Sequence, residues 1–122
     1  MKEFSEFIKR DIPEKGFVHF YFMGQAGFIL QDSDGFLLAY DLYLSDCCER
    51  EFGFKRLMPH LLGADELAFD AVLCSHGHYD HSGGILSFVK INPNATIYIQ
   101  KNAVNDYYSI RENGPAYIGI DK

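Results

Sequence analysis

Cys74-Ser75-His76-Gly77-His78-Tyr79-Asp80-His81-Ser82-Gly83-Gly84 holds three of the chain's five histidines within six residues, with an aspartate between two of them. Imidazole nitrogen and carboxylate oxygen are the donors that borderline metals such as zinc take. A loop reading His-x-His-x-Asp-His can present two ligand pairs to two adjacent metals. His76 and His78 would hold one ion, Asp80 and His81 the other. The competing reading is a merely polar loop, and placement argues against it. The cluster follows an apolar run and precedes a helix-forming one, which is the context a metal loop between a strand and a helix requires.

Working outward, Ala71-Val72-Leu73-Cys74 is a short apolar run between polar residues, the mark of a buried strand. It delivers the histidines at its C-terminal end, where open α/β sheets place their sites. Ser82-Gly83-Gly84 opens a helix that continues through Ile85, Leu86, Phe88 and Val89. Its glycines let the backbone pass close to the metals, and its N-terminus favours an anion. Asn92-Pro93-Asn94 ends that helix, and residues 95–99 form another strand. Strand, loop, helix and strand make a βαβ unit around the histidines.

Before this unit, Phe4, Phe7 and Ile8 recur at helical spacing, so residues 3–10 form a short amphipathic helix or an arm packed on the domain. Residues 17–22 read as a strand. Val18, Phe20 and Phe22 fall on one side and Phe17, His19 and Tyr21 on the other, so both faces are expected to be covered. His19 reads as a satisfied sheet histidine rather than a ligand. Gly24-Gln25-Ala26-Gly27 is a turn, residues 28–31 a second strand, and Asp32-Ser33-Asp34-Gly35 a hairpin turn needing positive φ at Gly35. Residues 36–40 form a third strand ending at Asp41. Asp41 is either a turn residue or a carboxylate that orients a ligand imidazole through its other ring nitrogen; Asp46 is a weaker candidate for that role. Residues 42–64 lack strand periodicity. They are expected to hold a short helix around Leu57, Leu61 and Leu62, broken near Pro59, and a connection this long suggests a lid or binding loop. His60 reads as a surface residue, and Asp65-Glu66-Leu67 as one helical turn. After residue 99, a helix over 103–110 and a last strand at 117–120 are expected.

At 122 residues the prior is one domain. The composition is globular, with 48% hydrophobic and 16% aromatic residues, too apolar for disorder. Net charge is -6 and is shared between the halves: seven Lys and Arg against ten Asp and Glu in residues 1–60, four against seven in 61–122. With no basic patch or charge block, neither nucleic acid nor an anionic membrane is an expected partner. The opening Met1-Lys2-Glu3-Phe4-Ser5-Glu6 lacks a signal-peptide pattern, and no apolar run reaches transmembrane length. Three cysteines, two of them adjacent, make a poor disulfide framework, so reduced thiols in a cytoplasm are expected. Cys74 reads as a small hydrophobe at a strand end, and no CxxC spacing supports Cys47 and Cys48 as ligands.

His76-Gly77-His78-Tyr79-Asp80-His81 resembles the HxHxDH signature of the metallo-β-lactamase superfamily. Nearly the whole chain can be laid on that family's first half. Phe22-Met23-Gly24-Gln25-Ala26-Gly27-Phe28 and Leu38-Ala39-Tyr40-Asp41-Leu42-Tyr43-Leu44-Ser45-Asp46 look like the branch containing ascorbate-6-phosphate lactonase, although a proline usually follows the aspartate there and Leu42 stands here. The stretch from His81 to Tyr117-Ile118-Gly119 looks more like other small hydrolases of the superfamily.

The resemblance implies an α/β (α+β) chain: half of the αβ/βα sandwich, one mixed β-sheet with helices on one face, with residues 1–122 forming a single partial domain. It implies one or two metal ions, zinc first and manganese or iron as alternatives, held by His76, His78, Asp80 and His81. Asp80 would also hold the attacking water, and Asp41 would sit close to the metals. The implied activity is hydrolysis of a small ester, lactone or phosphoester. The family draws further ligands from its second half, whereas no histidine follows His81 here. The chain is therefore expected to need a complementary second half or a homodimer, since an uncovered sheet face is an association surface. The competing functions are a non-catalytic metal-binding or interaction domain from a truncated or split gene and, disfavoured by the acidic charge, a nuclease. Tyr79, between two ligands, either points into the substrate space or packs on the loop.

Overall fold

The computed structural model describes residues 2–75, 90 and 92–99. It contains α1 (Lys2–Arg10), β1 (His19–Phe22), β2 (Phe28–Gln31), β3 (Leu37–Tyr40), α2 (Cys47–Phe52), β4 (Ala71–Cys74) and β5 (Thr96–Ile99). The five strands make one mixed sheet in the order β1-β2-β3-β4-β5. The first three form an antiparallel meander, and β3, β4 and β5 run parallel. The strands expected within the described residues are present, each trimmed by a residue or two at most. The expected helix after His81, the helix over 103–110 and the strand at 117–120 lie outside the described residues.

Local chemistry explains the meander. Gly24 and Gln25 take positive φ in the β1–β2 connection, closed by Met23 N–H to Gly27 O and Gly27 N–H to Gly24 O. In the β2–β3 turn, one Asp32 carboxylate oxygen accepts from the N–H groups of Asp34 and Phe36, both at 2.9 Å. That bond pattern, with Gly35 at φ 81°, fixes the hairpin.

One face of the sheet is buried. Ile29 of β2, Leu37 and Ala39 of β3, and Val72 and Cys74 of β4 share a core with Ile8 of α1 and with Leu62, Leu67 and Phe69 of the connection to β4. Gln31 is polar and buried on this face. Its amide donates to the Ile8 carbonyl at 2.9 Å, satisfying an acceptor in the last turn of α1, and its oxygen accepts from the Tyr21 hydroxyl at 3.2 Å. His19 Nδ1 in turn lies 3.1 Å from that hydroxyl. Burial, with the Asp11 carboxylate beside it, raises the Tyr21 phenol above its ordinary pKa.

The opposite face corrects one expectation. Phe20 and Phe22 of β1 remain 58% and 57% exposed, so only one side of that strand is covered. By register Phe20 lies against Leu30 and Phe22 against Phe28, with Leu38 and Tyr40 next across the sheet. Phe20, Phe28 and Tyr40 form a row of rings with centroids 5.0 and 4.5 Å apart. Phe20 and Phe22 do share one side of β1, with His19 and Tyr21 on the other, but what covers a face depends on the elements that return to it.

The connection 42–64 is also corrected. It has no helix at Leu57–Leu62: Leu57 is 98% exposed while Leu62 is fully buried. The helix lies earlier, at α2, ended by Gly53 in the left-handed conformation. Its six residues are too few to show a period, and its apolar spacing is weak. Residues 63–66 form a hydrogen-bonded turn, Glu66 N–H to Gly63 O, rather than a helical one. Among the described residues no helix is long and apolar enough to cross a membrane.

Candidate metal centre

Because β1 and β3 run alike and β4 is parallel to β3, the β1–β2 turn, Asp41 and Ser75 gather at one end of the sheet. This is the C-terminal end of the parallel strands. The opposite end is stapled by Asp70. Its carboxylate accepts from Leu37 N–H at 2.8 Å, its own N–H donates to Leu37 O, and its carbonyl accepts from Thr96 N–H.

Asp41 is the organising residue at the candidate end. Its N–H donates to Leu73 O at 3.0 Å, extending the β3–β4 ladder by one rung. It then adopts φ 45°, the left-handed region, which turns the chain off the sheet. Its side chain is left over the end of β4 and is buried, with the residue 2% exposed. One carboxylate oxygen accepts from Ser75 N–H at 2.8 Å and the other from the Ser75 hydroxyl at 2.5 Å. Both bonds are charge-assisted, the stronger kind. Asp41 therefore clamps the residue immediately before His76. A strand-end aspartate was visible in the sequence; its partner Ser75 was not, because residues 34 positions apart meet only when β3 and β4 pair in this register.

Gly27 completes the support. A Cβ built there would lie 2.9 Å from the Asp41 carbonyl oxygen and 3.2 Å from Leu42 Cα. Both neighbours are backbone, so neither can yield as a flexible side chain would. Gly27→Ala is expected to cost about 2 kcal/mol, the usual scale for overpacking, with a lowered thermal midpoint. Gly27 has no positive φ, so a midpoint unchanged within a degree would show that the contact is not tight.

The segment after Asp41 is held by a residue that sequence reasoning did not single out. The Arg56 guanidinium donates to the carbonyls of Tyr43 and Ser45 and lies over the Tyr43 ring, 4.2 Å from its centroid. The Tyr43 hydroxyl accepts from Cys48 N–H at 3.0 Å, at the start of α2. Met58 packs against Gly24 in the β1–β2 turn. The long connection is thus folded back onto its own start by Arg56 and reaches the β1–β2 turn through Met58. An arginine in an aperiodic stretch carries no motif that foretells this.

His76, His78, Asp80 and His81, with Tyr79 between them, lie outside the described residues. Among the described residues no group of three His, Cys, Asp or Glu side chains is gathered to hold a metal. His60 is exposed, as expected. The Asp46 carboxylate pairs with Arg50 at 2.7 Å, with both side chains exposed. Cys74 is buried and Cys48 half-buried. The donor set beginning one residue after Ser75 is three imidazoles and a carboxylate, which fits zinc. The anchored strand end that delivers it fits a site needing fixed ligands.

A family model described as the metallo-beta-lactamase superfamily matches residues 44–121, more than half of the chain. Among solved structures, the chain is similar to that of Igni18, a novel metallo hydrolase from the hyperthermophilic archaeon Ignicoccus hospitalis. Identity is 22% and the TM-score 0.48, with 85% of this chain and 40% of that one covered. The chain thus spans less than half the length of that protein. The comparison with curated proteins finds no match.

Proposed function

The chain belongs to the metallo-beta-lactamase superfamily, and from that premise we propose that it is the metal-holding half of a hydrolase acting on a small ester, lactone or phosphoester. His76, His78, Asp80 and His81 would hold one or two zinc ions, with manganese or iron as alternatives. Zinc bound there supplies Lewis-acid polarisation of the scissile carbonyl or phosphoryl group and a nucleophile at neutral pH. The chain's own residues do the positioning. Asp41 fixes the backbone and hydroxyl of Ser75, and so the point from which the ligand loop departs. Asp80 binds and orients the attacking water. Asp41 would also accept from the second ring nitrogen of a ligand imidazole, setting its tautomer.

The single observation that carries this reading is the buried Asp41 carboxylate locked onto the residue preceding His-x-His-x-Asp-His. The likeness of residues 22–28 and 38–46 to the lactonase branch makes lactones the first substrates to try. An odd number of cysteines, two of them adjacent, supports a reducing, cytoplasmic setting. No histidine follows His81 in these 122 residues; a complementary half or a second copy would supply the remaining ligands. That incomplete set favours one alternative, a metal-binding or interaction domain without catalysis.

The test is metal analysis of the purified protein together with assays on lactone, thioester and phosphodiester model substrates. The expected outcome is at least one zinc per site and hydrolysis of one substrate class, abolished by a chelator and restored by zinc. Zinc bound without hydrolysis of any class would support the non-catalytic alternative. Hydrolysis indifferent to chelation would sink the metal reading.

A further inference from the structure

We propose that Gln25, in the β1–β2 turn, is a specificity-determining residue that binds a hydroxyl group beside the scissile bond of the substrate. This role rests on the hydrolase reading above. Among the described residues only two non-glycines take positive φ, Gln25 at 52° and Asp41 at 45°. Both lie at the Ser75 end of the sheet. Where the chain needs positive φ away from that end, at Gly16, in the β2–β3 turn at Gly35 and after α2 at Gly53, it uses glycine. A side chain at positive φ crowds its own backbone, and such strain collects where function requires it. At Asp41 the benefit is visible, since the carboxylate so placed clamps Ser75.

At position 25 the turn itself calls for glycine. Gly27 N–H donates to Gly24 O at 3.0 Å, which makes Gln25 and Ala26 the central pair of a four-residue turn. Positive φ at the first of that pair but not the second is the φ pattern of a type II′ turn, whose first central position is glycine's. Asparagine and aspartate offset such strain by bonding to the nearby backbone. Gln25 is exposed, and its side chain makes no hydrogen bond among the described residues. The turn that carries it is firmly seated. Met58 packs on Gly24, and Gly27 lies against the Asp41 carbonyl. Gln25 thus stands two residues from a contact with the residue that clamps Ser75. Its amide offers a carbonyl acceptor and an NH2 donor without charge. The group that answers both is a hydroxyl, which donates and accepts, whereas an ionised phosphate only accepts. A lactone or ester hydroxylated next to its carbonyl is therefore the substrate class.

Heteronuclear NMR with α-hydroxy-γ-butyrolactone and γ-butyrolactone, which differ by that one hydroxyl, reads the contact without hydrolysis. The Gln25 side-chain NH2 signals are expected to shift with the first probe and not with the second. The first is expected to bind about 10-fold tighter, a factor that one neutral hydrogen bond supplies. Gln25→Ala is expected to remove that preference. Gln25→Gly is expected to remove it while raising the thermal midpoint by about 3 °C, because glycine relieves the strain. Binding of neither probe, equal binding of both, or a preference kept by Gln25→Ala overturns the proposal. So does a lowered midpoint in Gln25→Gly, which would make the side chain a support of the turn. Hydrolysis in the same samples with zinc added tests the other reading separately. If the hydroxylated probe binds through Gln25 and neither probe is cleaved, the contact stands and lactone hydrolysis falls. If both are cleaved without preference, hydrolysis stands and the role of Gln25 falls.

Discussion

Replacing His76 with alanine is expected to lower zinc affinity by on the order of 1,000-fold or more, beyond the 10–100-fold usual when only an outer partner of a ligand is lost. Hydrolysis, which depends on the metal, should fall with it to background. The fold should change little, because α1, the sheet and Leu62, Leu67 and Phe69 form a core among the described residues. The double variant His76→Ala, His78→Ala should abolish zinc binding at the ion those residues share, as read by equilibrium dialysis and metal analysis. Retention of full zinc content and activity by the double variant would remove the loop from the site altogether.

Asp41→Ala should have the next largest effect, and should act on stability and metal binding together. It leaves Ser75 N–H and hydroxyl without their buried acceptor, at about 3 kcal/mol. It also puts a residue with no local hydrogen-bonding side chain at φ 45°, adding about 1 kcal/mol. The sum corresponds to a fall of roughly 15 °C in thermal midpoint for a domain of this size. Asp41→Asn divides the two roles. Its amide oxygen can accept from Ser75 N–H, and its NH2 group can donate to a rotated Ser75 hydroxyl, so the clamp survives without its charge. Asparagine also tolerates the left-handed backbone. Stability is then expected within about 1 kcal/mol of wild type, with zinc affinity at least 10-fold lower. If Asp41→Asn binds zinc as tightly as wild type, the carboxylate serves only to hold the strand end and has no part in tuning the ligands.

Much of the fold is legible because its elements are marked by short-range chemistry. Gly24 and Gly27 bracket one turn, while Asp32 and Gly35 set the next. Ala71-Val72-Leu73-Cys74 stands out as an apolar run between polar residues. Helix α2 was missed because six residues cannot display a 3.6-residue period, although Asp46 before it and Gly53 after it bracket it. The helix expected around Leu57 and Leu62 failed for the opposite reason. Three leucines suggested a stripe, but one is fully exposed and another fully buried, so they share no face.

The sequence by itself determined the kind of chemistry, because metal-donor identity and spacing are properties of adjacent residues. His-x-His-x-Asp-His after an apolar strand could be read without any knowledge of what surrounds it. It also determined which side chains share a sheet face, since that follows from alternation along each strand. Only the tertiary structure decided which face is covered and what Asp41 does. Phe20 and Tyr21 are neighbours of similar size, yet one looks outward and the other packs under α1. Asp41 could equally have been a turn residue facing water. It became the clamp on Ser75 because β3 and β4 pair in parallel with Asp41 one rung beyond Leu73, which brings a carboxylate and a hydroxyl 34 residues apart into a 2.5 Å hydrogen bond. Contacts of that range depend on strand register, which no local pattern in either segment encodes.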